Sequence, residues 1–173
     1  MKKYFSLITV AICLIAASLS ASAADKSTVS AADKKFVMKA AQGGMLEVQL
    51  GQLAADKGAS QEVKDFGSKM VTDHSKANDE LKAIASSKDL TLPDKLDSKH
   101  QAAIDKLSKL SGAAFDKAYV SAMVKDHKGD DAEFAKEAKS GGDADIKAFA
   151  GKTDESVIKM HLQMIEDIQS KMK

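Results

Sequence analysis

Arginine and tryptophan are missing from this 173-residue chain, cysteine and proline occur once each as Cys13 and Pro93, and aromatic residues make up only 5%. Each shortage excludes something. Without arginine there is no planar guanidinium fork to hold phosphates or base edges in two places, and acids balance the lysines to a net charge of +1. No nucleic-acid partner is expected. One cysteine makes no intramolecular disulfide, so stability must come from packing. One proline leaves long stretches free to be helical.

The chain opens MKKYFSLITVAICLIAASLSASAADK, with two lysines, an apolar run from Tyr4 to Leu19, and the small-x-small step Ala21-Ser22-Ala23. This pattern predicts a signal peptide over residues 1–23 and a single exported, soluble domain over residues 24–173, with the periplasm as its expected location. The apolar run falls short of the roughly 20 residues that span a bilayer, and no later segment approaches that length. Cys13 would leave with the signal, and Ile12 before it argues against lipidation. Losing Lys2 and Lys3 brings the formal charge from +1 to −1, which favours neither nucleic acid nor an anionic membrane.

What is present is helical vocabulary, rich in Ala, Lys, Asp, Leu and Met. Ser30 with Asp33 suggests a capping box, DKGAS (Asp56 to Ser60) a glycine stop followed by a serine start, and Asp143 a cap for the last helix. The expected elements are one long helix after Ser30, a second from about Gln61 to Ser86, and a short one opening near Pro93 and ending near Leu110. A third long helix spans about Ala113 to Lys139, and a fourth runs from Asp143 to the C-terminus with an irregularity around Gly151 to Asp154.

Each long helix carries an apolar stripe interrupted by titratable groups: Glu47 in the first, His74 in the second, His127 with Asp130 in the third, His161 in the fourth. The tight turns make antiparallel pairs, and the segment 86–112 is long enough to return along the bundle, setting the second and third long helices parallel. His74 and His127 then lie about 14 residues from one end, and Glu47 and His161 about 10, a height difference of roughly 6 Å. They form one inward layer.

One carboxylate and three imidazoles, with Asp130 one turn beyond His127, suit a single first-row transition-metal ion such as zinc, iron or copper. Met70, Met123 and Met164 border the layer at helical spacing, and thioethers would favour Cu(I); methionine is equally a filler of core gaps. The alternative is a buried Glu/His network that fixes helix register and holds no ion. A ferritin-type dinuclear iron centre is not expected, because Val71, Val124 and Ile158 stand where Glu-x-x-His would need its carboxylates. Asp73 and Asp126, about 100° around the helix from their histidines, are expected to face lysines or solvent. His100 reads as a surface residue, and Gly43, Gly44 and Gly51 as points where a neighbouring helix comes close.

The stretch DKKFVMKAAQGGMLEVQLGQLAADKGASQEVKDFGSKMVTDH, followed by LP, GAAFDKAYVSAMVKDH and HLQM, closely resembles an exported bacterial ferritin-like family known as a domain of unknown function, its members often labelled outer-membrane proteins. The resemblance covers essentially residues 24–173 and implies a ferritin-like four-helix bundle, its long crossover carrying a short extra helix, in a periplasmic setting. On it, the family's marked polar positions fall on Glu47, His74, His127 and His161. The chain departs from the family near Thr153 to Ile158, where Leu-Pro often precedes the last histidine.

Three functions are compatible with these residues. The first is metal buffering or envelope stress protection through the Glu/His layer. The second is an envelope structural or partner-binding module whose layer is architectural. Enzymatic turnover fits less well, because the sequence offers no further acid or base beside the layer.

Overall fold

The computed structural model describes residues 29–172; the expected signal peptide, Cys13 included, lies outside them. Every regular element among the described residues is helical: α1 Ala31–Lys57, α2 Gln61–Ser87, α3 Ser98–Ser108, α4 Gly112–Ser140, α5 Ala144–Thr153 and α6 Lys159–Lys171. A π-helical turn, Asp154–Ile158, joins α5 to α6. None of the described helices is long and apolar enough to cross a membrane.

Local chemistry sets most boundaries. Ser30 Oγ accepts the Asp33 amide at 3.1 Å, Ser60 Oγ the Val63 amide at 3.4 Å, and Asp143 Oδ1 those of Asp145 and Ile146 at 3.0 and 3.1 Å. The short helix differs from expectation. Pro93 sits in the irregular link after α2, and α3 starts only at Ser98, where Asp97 Oδ1 accepts the His100 amide at 2.9 Å. A dedicated aspartate cap outweighs the weaker preference of proline for a first turn.

The Asp33 side chain also departs from a capping box. Its two oxygens accept the amides of Gly142 and Asp143, both at 3.0 Å, and so hold the α4–α5 turn. Asp116, on α4, does the same for the α1–α2 turn, accepting the Ala59 and Ser60 amides at 2.8 Å each. Both aspartates are buried. Each of the two helical hairpins thus has its turn clamped by a carboxylate from the other, satisfying amides that no helix can.

α1 packs closely on α2, and α4 on α5 and α6; the contacts of α1 with α4 and of α2 with α5 and α6 are sparser, and α3 lies against α1. The tight seam depends on Gly51 and Gly67. A Cβ at Gly67 would fall 2.5 Å from the Gly51 carbonyl oxygen, and one at Gly51 would fall 2.8 Å from the Gly67 carbonyl oxygen. Gly43, expected at such a contact, instead has open space around it.

The apolar interior divides into two clusters. One holds Leu50, Phe66, Met70, Tyr119, Met123 and Ile165, the other Phe36, Leu81, Phe134, Ile146, Phe149 and Ile158. Glu47, His74, His127 and His161 lie between them along their helices and are all buried. The π turn keeps the last rod in phase: Ala150 to Ile158 is eight residues over two turns, and both are buried. The irregularity expected around Gly151 to Asp154 therefore falls slightly later. It lies within the segment where the sequence departs from the family it resembles.

Candidate metal centre

The four stripe interruptions meet in the core. His74 is contributed by α2, His127 by α4 and His161 by α6, with ring centroids 5.9 Å apart for His74 and His127, 5.0 Å for His74 and His161, and 5.6 Å for His127 and His161. One nitrogen from each lies within 4.8 Å of the others. Glu47 reaches in from α1, its Oε2 2.8 Å from His74 Nδ1 and its Oε1 3.7 Å from His127 Nε2.

The partners on the outer side of each ring decide which nitrogens are free. His127 Nδ1 donates to the Met123 carbonyl at 3.1 Å, which leaves Nε2 as a lone pair. His161 Nε2 donates to Asp73 Oδ2 at 2.8 Å, and Lys69 Nζ holds that same oxygen at 2.9 Å, so His161 Nδ1 is a lone pair too. When His74 Nδ1 donates to Glu47, its Nε2 becomes the third. These three atoms face inward, each ring turned by an acceptor behind it, as metal-bound imidazoles are. His74 Nε2 and His161 Nδ1 stand 3.1 Å apart. In a tetrahedral zinc site, metal–nitrogen bonds of about 2.0–2.1 Å put ligand nitrogens about 3.3 Å apart.

Two buried atoms in the layer have no hydrogen-bond partner, His127 Nε2 and Glu47 Oε1. Both can accept, and they face each other. A cation would satisfy both. A proton satisfies the rest of the layer: if Glu47 is protonated it donates to His74 Nδ1, His74 Nε2 donates to His161 Nδ1, and the chain ends on Asp73 and Lys69.

Burial shapes the charges accordingly. It lifts the Glu47 carboxyl well above its usual range, reinforced by Asp126. It lowers His74 to about 4 and His127 to about 3, and His161 to about 4 against the opposing pull of Asp73. The imidazoles are neutral across the physiological range, ready to ligate.

Asp130, expected as a reserve ligand, stands beside Glu47. Burial and the nearby Glu47 and Asp126 charges push it up to about 9. A carboxyl oxygen from each of Glu47, Asp126 and Asp130 lies within 4.8 Å of the other two. Asp126 was expected to point away, yet it joins this second group. Asp73 does pair with lysine as expected, but it also orients His161. A helical position 100° from a histidine is still at the wall of the layer when a neighbouring helix covers that flank, and the wall is where outer partners belong. His100 is partly exposed on α3, paired with Asp97 at 2.9 Å and apart from the layer.

Comparison with known proteins adds family and fold. No curated protein matches the sequence. Among solved structures, the crystal structure of a DUF305 fragment from Deinococcus radiodurans is similar, with a TM-score of 0.72 at 11% identity, covering 83% of this chain and 98% of that one. That likeness is one of helical fold. Residues 18–168 match the domain of unknown function DUF4142, and the chain belongs to that family.

Proposed function

We propose that the protein is an exported, ferritin-like helical bundle of the bacterial envelope that binds one transition-metal ion through His74, His127 and His161, with Glu47 beside them, and serves in metal buffering or stress protection. The observation that carries the reading is the convergence of three neutral imidazoles, with His127 and His161 turned inward by the Met123 carbonyl and Asp73 and His74 held by Glu47. Zinc, iron and copper all suit nitrogen and carboxylate donors, and the buried Met70 and Met123 one turn before their histidines add a preference for copper in its reduced state if their sulfurs turn inward. The N-terminal signal pattern supports export, and residues 24–173 would be the mature domain.

Isothermal titration of the purified protein with zinc, in buffers of different ionisation enthalpy, tests this. One ion per chain is expected, with release of about one proton, that of Glu47, because the histidines are already neutral at pH 7. Absence of binding at millimolar zinc would overturn the reading. Release of three protons would contradict the neutral state of the histidines.

The hydrogen-bonded run from Glu47 through His74 and His161 to Asp73 and Lys69 favours a second reading, in which the layer is architectural and the bundle an envelope module. It predicts a melting temperature that chelator and zinc leave unchanged.

A further inference from the structure

Three imidazoles that are only 0–3% exposed can take up an ion only if something leads to them. On the side of the first apolar cluster the layer is sealed. The Phe66 ring packs against His127 and His161 at centroid distances of 6.3 and 5.7 Å, with Met70 and Met123 buried in the same cluster. On the side of the second cluster a cavity of about 50 Å³ reaches Glu47 and His74. A void of that size holds an ion with only a few waters. Outside it, between α1 and α4, runs a groove of about 840 Å³. Groove and cavity share Lys39 and Gly43 of α1 and Asp130 and Glu133 of α4 in their linings, so the two voids adjoin there.

Gly43 and Gly44 are neighbours in the middle of α1, where each destabilises the helix by about 1 kcal/mol relative to alanine. Packing accounts for one of them. A Cβ at Gly44 would fall 1.9 Å from Asn78 Oδ1, so its absence makes room for that side chain. Gly43 has nothing within 4 Å of the same position, and no neighbour fills the space that its missing side chain leaves. We propose that the junction ringed by Lys39, Gly43, Asp130 and Glu133 is the path by which a divalent metal ion reaches the histidine layer, and that Gly43 keeps it open. The inference rests on the histidine site proposed above.

Charge at the junction suits a passing cation. Lys39 Nζ is bound to Glu133 at 2.7 Å, but both side chains are more than a third exposed, and such a pair opens at little cost. Once open, it leaves a carboxylate at the mouth. Asp130, hydrogen-bonded to Glu47, stands at the inner end. The competing approach is a pocket of about 200 Å³ outside Asp73, lined also by Lys76 and Lys152. Asp73 already engages the outer nitrogen of His161, and two ammonium groups oppose a dication there.

Stopped-flow uptake of zinc in competition with a chromophoric chelator, paired with release into excess EDTA, tests the path. A block on the route raises the barrier equally in both directions and leaves the equilibrium where it was. Gly43→Leu should slow uptake and release by the same factor, at least tenfold, with zinc affinity within threefold of wild type and unchanged helical circular dichroism. Gly43→Ala should slow both by less. Ser156→Leu, which crowds the pocket outside Asp73, should leave both rates within threefold. Wild-type rates in Gly43→Leu protein that binds zinc, or a greater slowing by Ser156→Leu, overturn the path alone. So does a change in rate fully matched by a change in affinity. Wild-type protein that binds no zinc would refute the histidine site and the path with it.

Discussion

Along α1, the flank against α2 and the flank against α4 are built in opposite ways. Toward α2 the chain places Gly51 and Ala54, which meet Gly67 and bring backbone against backbone. Toward α4 it places Lys39, Gln42 and Gly43, and the partner helix answers with Asp126, Asp130 and Glu133 across a groove. Small residues close one seam by dispersion and burial; charged side chains of both signs line the other. Glu47 lies between the two seams, held by His74 from the closed side and hydrogen-bonded to Asp130 on the other.

The largest effect should come from testing whether both seams feed one site. On the proposed metal site, His74→Ala removes a ligand positioned across the closed seam, and His127→Ala one positioned across the other. Each should lower zinc affinity at least 100-fold, about 2.7 kcal/mol by calorimetric titration. Unequal losses, with one variant near wild type, would mean the layer is not a single site.

Glycine substitutions contrast the seams directly. Gly67→Ala places a Cβ against the Gly51 carbonyl and the Ala55 amide and should destabilise by about 1–3 kcal/mol in urea unfolding. Gly43→Ala meets nothing within 4 Å and should stabilise by up to about 1 kcal/mol through helix propensity. The same substitution changes sign across one helix. Two destabilisations of similar size would erase the distinction.

Asp130 tests the electrostatic side. Its folded-state pKa, about 9, is raised from 3.8, so its contribution is fully favourable below the unfolded value and is lost as pH rises toward about 9. Asp130→Asn removes that loss. Without metal, the variant should melt higher than wild type at pH 8 by about 2–4 °C, allowing about 1 kcal/mol for a half-buried group in contact with solvent. The gap should narrow toward pH 4. A variant that melts lower at pH 8 would show that Asp130 is ionised and paired.

The smallest effect belongs to the mouth of the groove. Lys39 and Glu133 span it at 2.7 Å with side chains 53% and 37% exposed. A double-mutant cycle should give no more than about 0.5 kcal/mol. A larger coupling would mean the groove is held shut more firmly than its lining suggests.

Much of this was legible beforehand, for reasons particular residues make clear. Ser60 and Asp143 cap where serine and aspartate should, because a cap depends on three or four adjacent residues. The depth of Glu47, His74, His127 and His161 followed from counting residues at a fixed rise. Asp33 and Pro93 were misread because a distant turn and a better cap competed for their roles. Asp126 was misplaced because angular position on one helix does not reveal how far away the next helix stands.

The sequence by itself determined the helices, their inward stripes and the meeting of four titratable groups, since all of these follow from periodicity and chain length. Only the tertiary structure decided how those groups are connected. The tautomer at each histidine depends on an acceptor contributed by its surroundings, Met123 one turn back, Asp73 from another helix or Glu47 across the closed seam. The carboxylate cluster exists because α1 sets Glu47 beside Asp126 and Asp130 of α4, a proximity set by the packing of whole helices that no single stretch of chain encodes.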